Sequence, residues 1–118
     1  MEVDEFFAGE DSARQLFDSV YSILTLIGPV EIRPTKSQIS FRRRKAFAWV
    51  WMPGKYLHGK VAPLVLSLTF NRKDASQRWK EIYEPTPGQF MHHLELYSPS
   101  EIDEQVHSWL QEAWTNGV

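Results

Sequence analysis

Polar and apolar positions along this chain follow two periodicities. Ala13, Leu16, Phe17, Val20, Ile23, Leu24 and Ile27 recur at spacings of three and four, which lines them along one face of a helix. Asp11 stands where a capping carboxylate would. Gly28-Pro29 ends the pattern, glycine supplying a left-handed stop and proline being unable to continue the helix. Val3, Phe6 and Phe7, ahead of it, predict a short apolar lead-in turn.

From Val30 the period falls to two. Strands are predicted over Val30 to Arg33, Gln38 to Arg42, Ala46 to Met52, Ala62 to Phe70 and Phe90 to Tyr97. Pro34-Thr35-Lys36-Ser37 separates the first two, and Pro53-Gly54 closes the third as a dipeptide suited to a type II turn. Asn71 to Gly88 reads as an irregular connection framed by Asp74, Ser76, Pro85, Pro87 and Gly88, with one helical turn inside it. Ser98-Pro99-Ser100-Glu101 combines a capping box with proline at the first helical position, and Ile102, Val106, Trp109, Leu110, Ala113 and Trp114 then repeat at helical spacing. Short links between strands favour antiparallel neighbours. The prediction is therefore an α+β fold, residues 1–118 forming a single domain: a five-stranded antiparallel sheet with an N-terminal and a C-terminal helix packed on one face.

Composition narrows the chemistry. The 118 residues are 42% hydrophobic and 24% charged, as in ordinary globular domains, and contain no cysteine. Disulfides, thiolate nucleophiles, Cys-bearing zinc sites and iron–sulfur clusters are thereby excluded. Met1-Glu2-Val3-Asp4-Glu5 is acidic where a secretory signal is basic, and no apolar run approaches the roughly 18 residues needed to span a bilayer. A cytoplasmic protein without membrane attachment is expected.

Charge changes the picture more. The net charge of -2 conceals a segregation, because no acidic residue lies between Glu31 and Asp74. Arg33, Lys36, Arg42, Arg43, Arg44, Lys45, Lys55, Lys60, Arg72 and Lys73 all fall in that stretch, and such asymmetry points to an anionic partner. The alternative is that acidic helices pack beside a basic sheet and cancel its field. Lys36 and the Arg42–Lys45 tip are the compact candidates. Thr35 and Ser37 add two hydroxyls around Lys36, a composition able to hold an oxyanion or to serve only as a polar turn.

Phe47, Trp49 and Trp51 alternate with Ala46, Ala48 and Val50, so alternation gives the three rings one face. Turned outward they form a stacking platform for single-stranded nucleic acid; turned toward the helices they are core, which avoids a large exposed apolar patch and is the expectation adopted. His92 and His93 are adjacent on a strand and point to opposite faces, so one packs or hydrogen-bonds inside while the other reaches a surface. They do not share a metal. His58 and His107 add no metal-ligand spacing, and no cofactor motif is present. Gly54 to Lys60 matches the opening of a phosphate-binding loop, but Val61 replaces the hydroxyl residue that holds magnesium, and Ala62-Pro63 with a β-rich run follows in place of a helix. No Gly-x-Ser-x-Gly elbow appears, so hydrolysis lacks named parts.

Gly28-Pro29-Val30-Glu31, Pro34-Thr35-Lys36-Ser37-Gln38, the run from Phe41 through Trp51, and Phe90-Met91-His92-His93-Leu94-Glu95-Leu96 together resemble a small bacterial domain family of unknown function. A related module occurs at the C-terminus of proteins labelled predicted transport proteins. The resemblance covers nearly the whole chain and implies a helix–sheet–helix order with an antiparallel sheet. More broadly, the chain is similar to iron-chaperone-like and MmcQ/YjbR-like domains, a likeness of fold that carries no function. The family supplies no catalytic residues.

The leading expectation is a non-enzymatic binding module that recognises an anionic partner (nucleic acid, a phosphorylated ligand or an acidic protein surface) through Lys36 and the Arg42–Lys45 tip. The alternative is a small-molecule pocket or enzyme that uses Lys36 with His92 or His93 in a cleft under the Asn71–Gly88 connection. A third reading is a self-association domain.

Overall fold

A computed structural model describes all 118 residues. A four-residue helix α1 (Val3–Phe6) precedes α2 (Asp11–Ile27); then come β1 (Glu31–Pro34), β2 (Ile39–Arg42), β3 (Ala46–Trp51), β4 (Leu64–Phe70), β5 (Glu81–Thr86), β6 (Gln89–Leu96) and α3 (Glu104–Asn116). The fold is α+β, with every strand pair antiparallel, in the order β1-β2-β3-β4-β6-β5. The sheet thus has six strands, where the sequence pattern predicts five.

The additional strand is β5, inside the connection read as irregular. It is an edge strand, exposed along nearly its whole length, so only Ile82 gives an apolar signal. Pro85 sits where the ladder with β6 shifts register between Tyr83 and Thr86, and proline is tolerated only at such edges and bulges. The β5–β6 turn carries Pro87 followed by Gly88 at φ 81°, the geometry of a type II turn. At the opposite edge β1 ends on Pro34. Each flank therefore lacks one of the donors that a further strand would use.

Register sorts the sheet into two rows. Ile32, Phe41, Ala48, Leu68, His92 and Ile82 align across all six strands, and the middle four are fully buried. One residue along lies the other row: Arg33, Ser40, Trp49, Ser67, His93 and Glu81. Helix α2 reaches the sheet through Phe17, whose ring stacks on Phe41 at 5.9 Å. From α3, Trp109 packs on Trp79 at 4.1 Å, and Trp79 in turn meets His92 at 4.8 Å.

The three rings of β3 do not share a face. Arg42 pairs with Ala46 while Phe41 pairs with Ala48, so Phe47 is the extra residue of a β-bulge. The bulge turns Phe47 into the core, 1% exposed, against Gly117 at the end of α3. Trp49 and Trp51 keep their alternation and lie half-buried in the row of Ser67 and His93 and the row beside it. The expectation that all three rings are core fails for the two tryptophans.

Three local readings also need correction. Glu10, not Asp11, precedes the first turn of α2. Pro53–Lys55 forms a 3-10 turn in which Gly54 has no positive φ, so it is not type II. The capping box at Ser98 and Glu101 is present but closes only a 3-10 turn; α3 begins at Glu104, with the Asp103 carboxylate accepting from the Val106 amide. Asp103, four residues beyond Pro99 and paired with Arg78, gives the longer helix its own cap.

Gly28 is extended rather than left-handed, and its role is spatial. A Cβ there would overlap the Trp114 ring. Trp114 Nε1 donates to the Pro29 carbonyl at 3.0 Å, and the Arg43 guanidinium covers the ring's other neighbourhood at 3.5 Å from its centroid. No helix is long and apolar enough to cross a membrane. Gly28→Ala is expected to cost about 1–3 kcal/mol by overpacking, whereas Gly54→Ala, whose Cβ would meet only Val61 at 3.8 Å, stays near neutral. Urea midpoints of the two variants check this.

Candidate functional site

Ser67 interrupts an otherwise apolar β4, Leu-Val-Leu-Ser-Leu-Thr-Phe, and is 3% exposed. Its hydroxyl therefore needs partners from within the protein. Trp51, diagonal to it on β3, donates Nε1–H to Ser67 Oγ at 3.2 Å. Directly opposite on β6, His93 Nδ1 lies 2.6 Å from the same oxygen. Indole nitrogen can only donate, so Ser67 accepts from Trp51; the Ser67 hydroxyl proton has no acceptor in the protein other than His93 Nδ1, which assigns that bond to the serine as donor. Nδ1 is then the acceptor and Nε2 carries the hydrogen. Burial lowers the His93 pKa, against a smaller upward pull from Glu81, which favours the neutral ring. Nε2 has no partner in the protein and is not sealed from solvent.

His93 opens onto a cavity of about 520 Å³. Trp51 and Val65 form its floor. The loop joining β3 to β4 supplies Leu57, Lys60 and Val61; Lys80, Glu81, Glu95 and Tyr97 complete the wall. Lys80 Nζ and Glu95 Oε2 are 3.7 Å apart. Tyr83 and Trp51 flank the imidazole at 5.4 and 6.1 Å between centroids. The volume suits one small molecule, and the lining combines apolar surface with a few directed polar groups.

His92 is its opposite in every respect. It is fully buried between Phe70 and Trp79, donates from Nδ1 to the Phe90 carbonyl at 3.0 Å and accepts the Asp74 amide at Nε2, also at 3.0 Å. Burial lowers its pKa as well. This histidine holds the β4–β5 connection to the sheet. Asp74 carries on from there: its carboxylate accepts from the Trp79 indole and the Ser76 amide and pairs with Arg72, which also grips Glu112 of α3. Those donors and the Arg72 charge outweigh partial burial and hold the Asp74 pKa below the ordinary carboxylate value.

The remaining candidates lie elsewhere. Thr35, Lys36 and Ser37 form the β1–β2 turn, where Thr35 Oγ1 accepts the Ser37 and Gln38 amides and donates to the Gln38 carbonyl. The Thr35 hydroxyl and the Ser37 and Gln38 amides are thus engaged within the turn. Lys36 is exposed and does not border the His93 cavity. Arg42, Arg43, Arg44 and Lys45 lie at the far end of β2, so at least about 10 Å of strand separates them from that turn. Arg43 is committed to the fold, donating to the Trp114 carbonyl at 3.1 Å as well as stacking on its ring. Arg44 and Lys45 give their amides to the Gly117 carbonyl, at 3.0 and 3.1 Å, and keep exposed side chains.

Several other cations of the acid-free stretch have internal partners. Arg33 pairs with Glu31, Lys55 covers Phe6, and Arg72 bridges Asp74 and Glu112. No three metal-capable side chains converge. Ser67, Lys80, Glu81, Glu95 and Tyr97 have no place among the sequence candidates, while Trp51 figures there only as part of a stacking platform and Lys60 only as one of the dispersed cations. The available signal was Ser67 itself, a lone hydroxyl inside a buried strand.

The chain belongs to the family described as a domain of unknown function (DUF5655), whose pattern matches residues 3–117. No curated protein and no solved structure matches it significantly.

The two histidines make stability pH-dependent. Unfolded, both titrate near the ordinary value of 6.5; folded, both have lowered values and bind fewer protons. Stability is therefore full above about pH 6.5 and falls as pH drops below it. Denaturant midpoints between pH 7.5 and 5 are expected to fall on acidification, less steeply in His93→Gln.

Proposed function

We propose that this domain is a small-ligand-binding module whose site is the cavity in front of His93. The observation that carries the reading is the Trp51–Ser67–His93 chain of hydrogen bonds. A buried hydroxyl is used to hold an indole and an imidazole in fixed orientation, leaving Nε2 of an imidazole that lines the cavity without a protein partner. Valine at position 67 would fill the strand as well. In this reading the helices cover the Phe41 row and leave the Trp49 row for recognition, with Trp51 as a rigid wall, His93 Nε2–H as a directed donor and the loop closing the end.

The reading is of binding, not hydrolysis. Ser67 is too enclosed to be a nucleophile, and its oxygen already serves two partners. A partner that adds a strand is disfavoured by the prolines at both sheet edges.

A second reading keeps an anionic partner at the β2–β3 tip, favoured by the exposed, unpaired side chains of Arg44 and Lys45. Its weakness is that the tip's backbone meets the C-terminal end of α3, whose dipole repels anions. The two readings separate by salt. Oligonucleotide binding at the tip would weaken steeply with ionic strength and be lost in Arg44→Ser/Lys45→Ser, whereas cavity binding would change little.

An NMR screen of neutral aromatic and heterocyclic fragments against the whole chain is expected to shift the Trp51 indole and His93 ring signals first, and His93→Gln to weaken those hits by about fivefold or more, the scale of one lost hydrogen bond. Hits confined to Arg42–Lys45 would defeat the cavity reading. Ser67→Ala should cost about 1–3 kcal/mol, because the indole and imidazole lose their common partner, and should broaden the single His93 tautomer into a mixture.

A further inference from the structure

Four charged side chains border the cavity, two of each sign: Lys60, Lys80, Glu81 and Glu95. Lys80 and Glu95 face each other at 3.7 Å and cancel. Lys60 and Glu81 form no ion pair with the protein, and both are exposed. They stand on different walls, Lys60 on the β3–β4 loop and Glu81 on β5, opposite His93 in the ladder. His93, on the same lining, offers a hydrogen bond and, with its pKa lowered by burial, no net charge. The remaining lining is apolar or aromatic: Trp51, Pro53, Leu57, Val61, Val65 and Tyr97.

Resting on the cavity reading above, we infer that the ligand is a small zwitterion bearing a flat apolar group, the chemistry of a free aromatic α-amino acid. A polyanion entering this space would meet Glu81 and Glu95, and a simple cation would meet Lys60 and Lys80; a molecule with one carboxylate and one ammonium complements the two uncommitted charges together. Its carboxylate pairs with Lys60 and accepts from His93 Nε2–H. Its ammonium pairs with Glu81, and its ring lies against Trp51 and Tyr97. The volume of about 520 Å³ accommodates one such molecule and excludes a folded partner.

The test is an NMR titration of the intact chain with L-phenylalanine, L-tyrosine and L-tryptophan, each compared with its N-acetyl and its carboxamide form. The free amino acid is expected to shift the Trp51 and His93 signals saturably and to bind about three- to tenfold more tightly than either blocked form, the range of a solvent-accessible ion pair with a hydrogen bond. Glu81→Gln should erase the preference over the N-acetyl form alone, and Lys60→Gln the preference over the carboxamide alone. Both are surface changes that leave the core intact. Equal affinity for the blocked forms, or no response to amino acids where neutral fragments still shift Trp51 and His93, overturns the zwitterion and leaves the cavity standing. Silence of Trp51 and His93 toward amino acids and fragments alike overturns both.

Discussion

The core and the cavity both follow from one constraint, the pairing register that aligns Ile32, Phe41, Ala48, Leu68, His92 and Ile82 across six strands. Side chains alternate with a period of two, so a slip of one residue would exchange this row with its neighbour and carry Ser67 and His93 into the apolar interior. The buried row is dense enough to forbid that: Phe41, Ala48 and Leu68 are wholly inaccessible, and Phe17 stacks on Phe41 from α2. Packing on one side of the sheet thereby sets hydrogen-bonding geometry on the other. Ser67 finds Trp51 and His93 because Leu66 and Leu68 can go nowhere else.

Adjacent histidines show how far one backbone can differentiate identical side chains. His92 holds its proton on Nδ1 because Phe90 supplies a carbonyl there and Asp74 an amide at the other nitrogen. His93 holds its proton on Nε2 because Ser67 donates to Nδ1. Both rings are kept neutral by burial, yet one anchors a connection and the other is left with an unused donor. The anchored ring also matters to the cavity. Through Asp74, Trp79 and Arg72 it fixes the segment that delivers Lys80 and Glu81 to the cavity wall.

Much of this architecture is legible in the amino-acid order. The three-and-four spacing of Ala13 to Ile27 and of Val106 to Ala113 gives the two long helices, and period-two runs give five strands close to their observed bounds. What escapes is what depends on pairing. β5 has a single inward residue and a proline, so it reads as loop until β6 is beside it. Phe47 changes face because a bulge adds one residue opposite β2, which alternation within β3 cannot reveal. Trp51, Ser67 and His93 are far apart in the chain and meet only through register. The split of His92 from His93 is legible, since neighbours on a strand must diverge. The charge segregation is real in the sequence, but β2 places Lys36 and the arginine tip at opposite ends, and Arg43 is absorbed into packing on Trp114.

The two edge prolines carry a consequence beyond this fold. Pro34 and Pro85 sit on the only strands that have a free side, and each replaces an amide that a neighbouring chain would need. A sheet interrupted in this way is a poorer template for growth. For copies of the domain held at high local concentration, or strung beside other folded units on one polypeptide, this weights encounters toward side chains over shared backbone ladders. Seeding of a hydrogen-bonded fibre from either flank is correspondingly disfavoured.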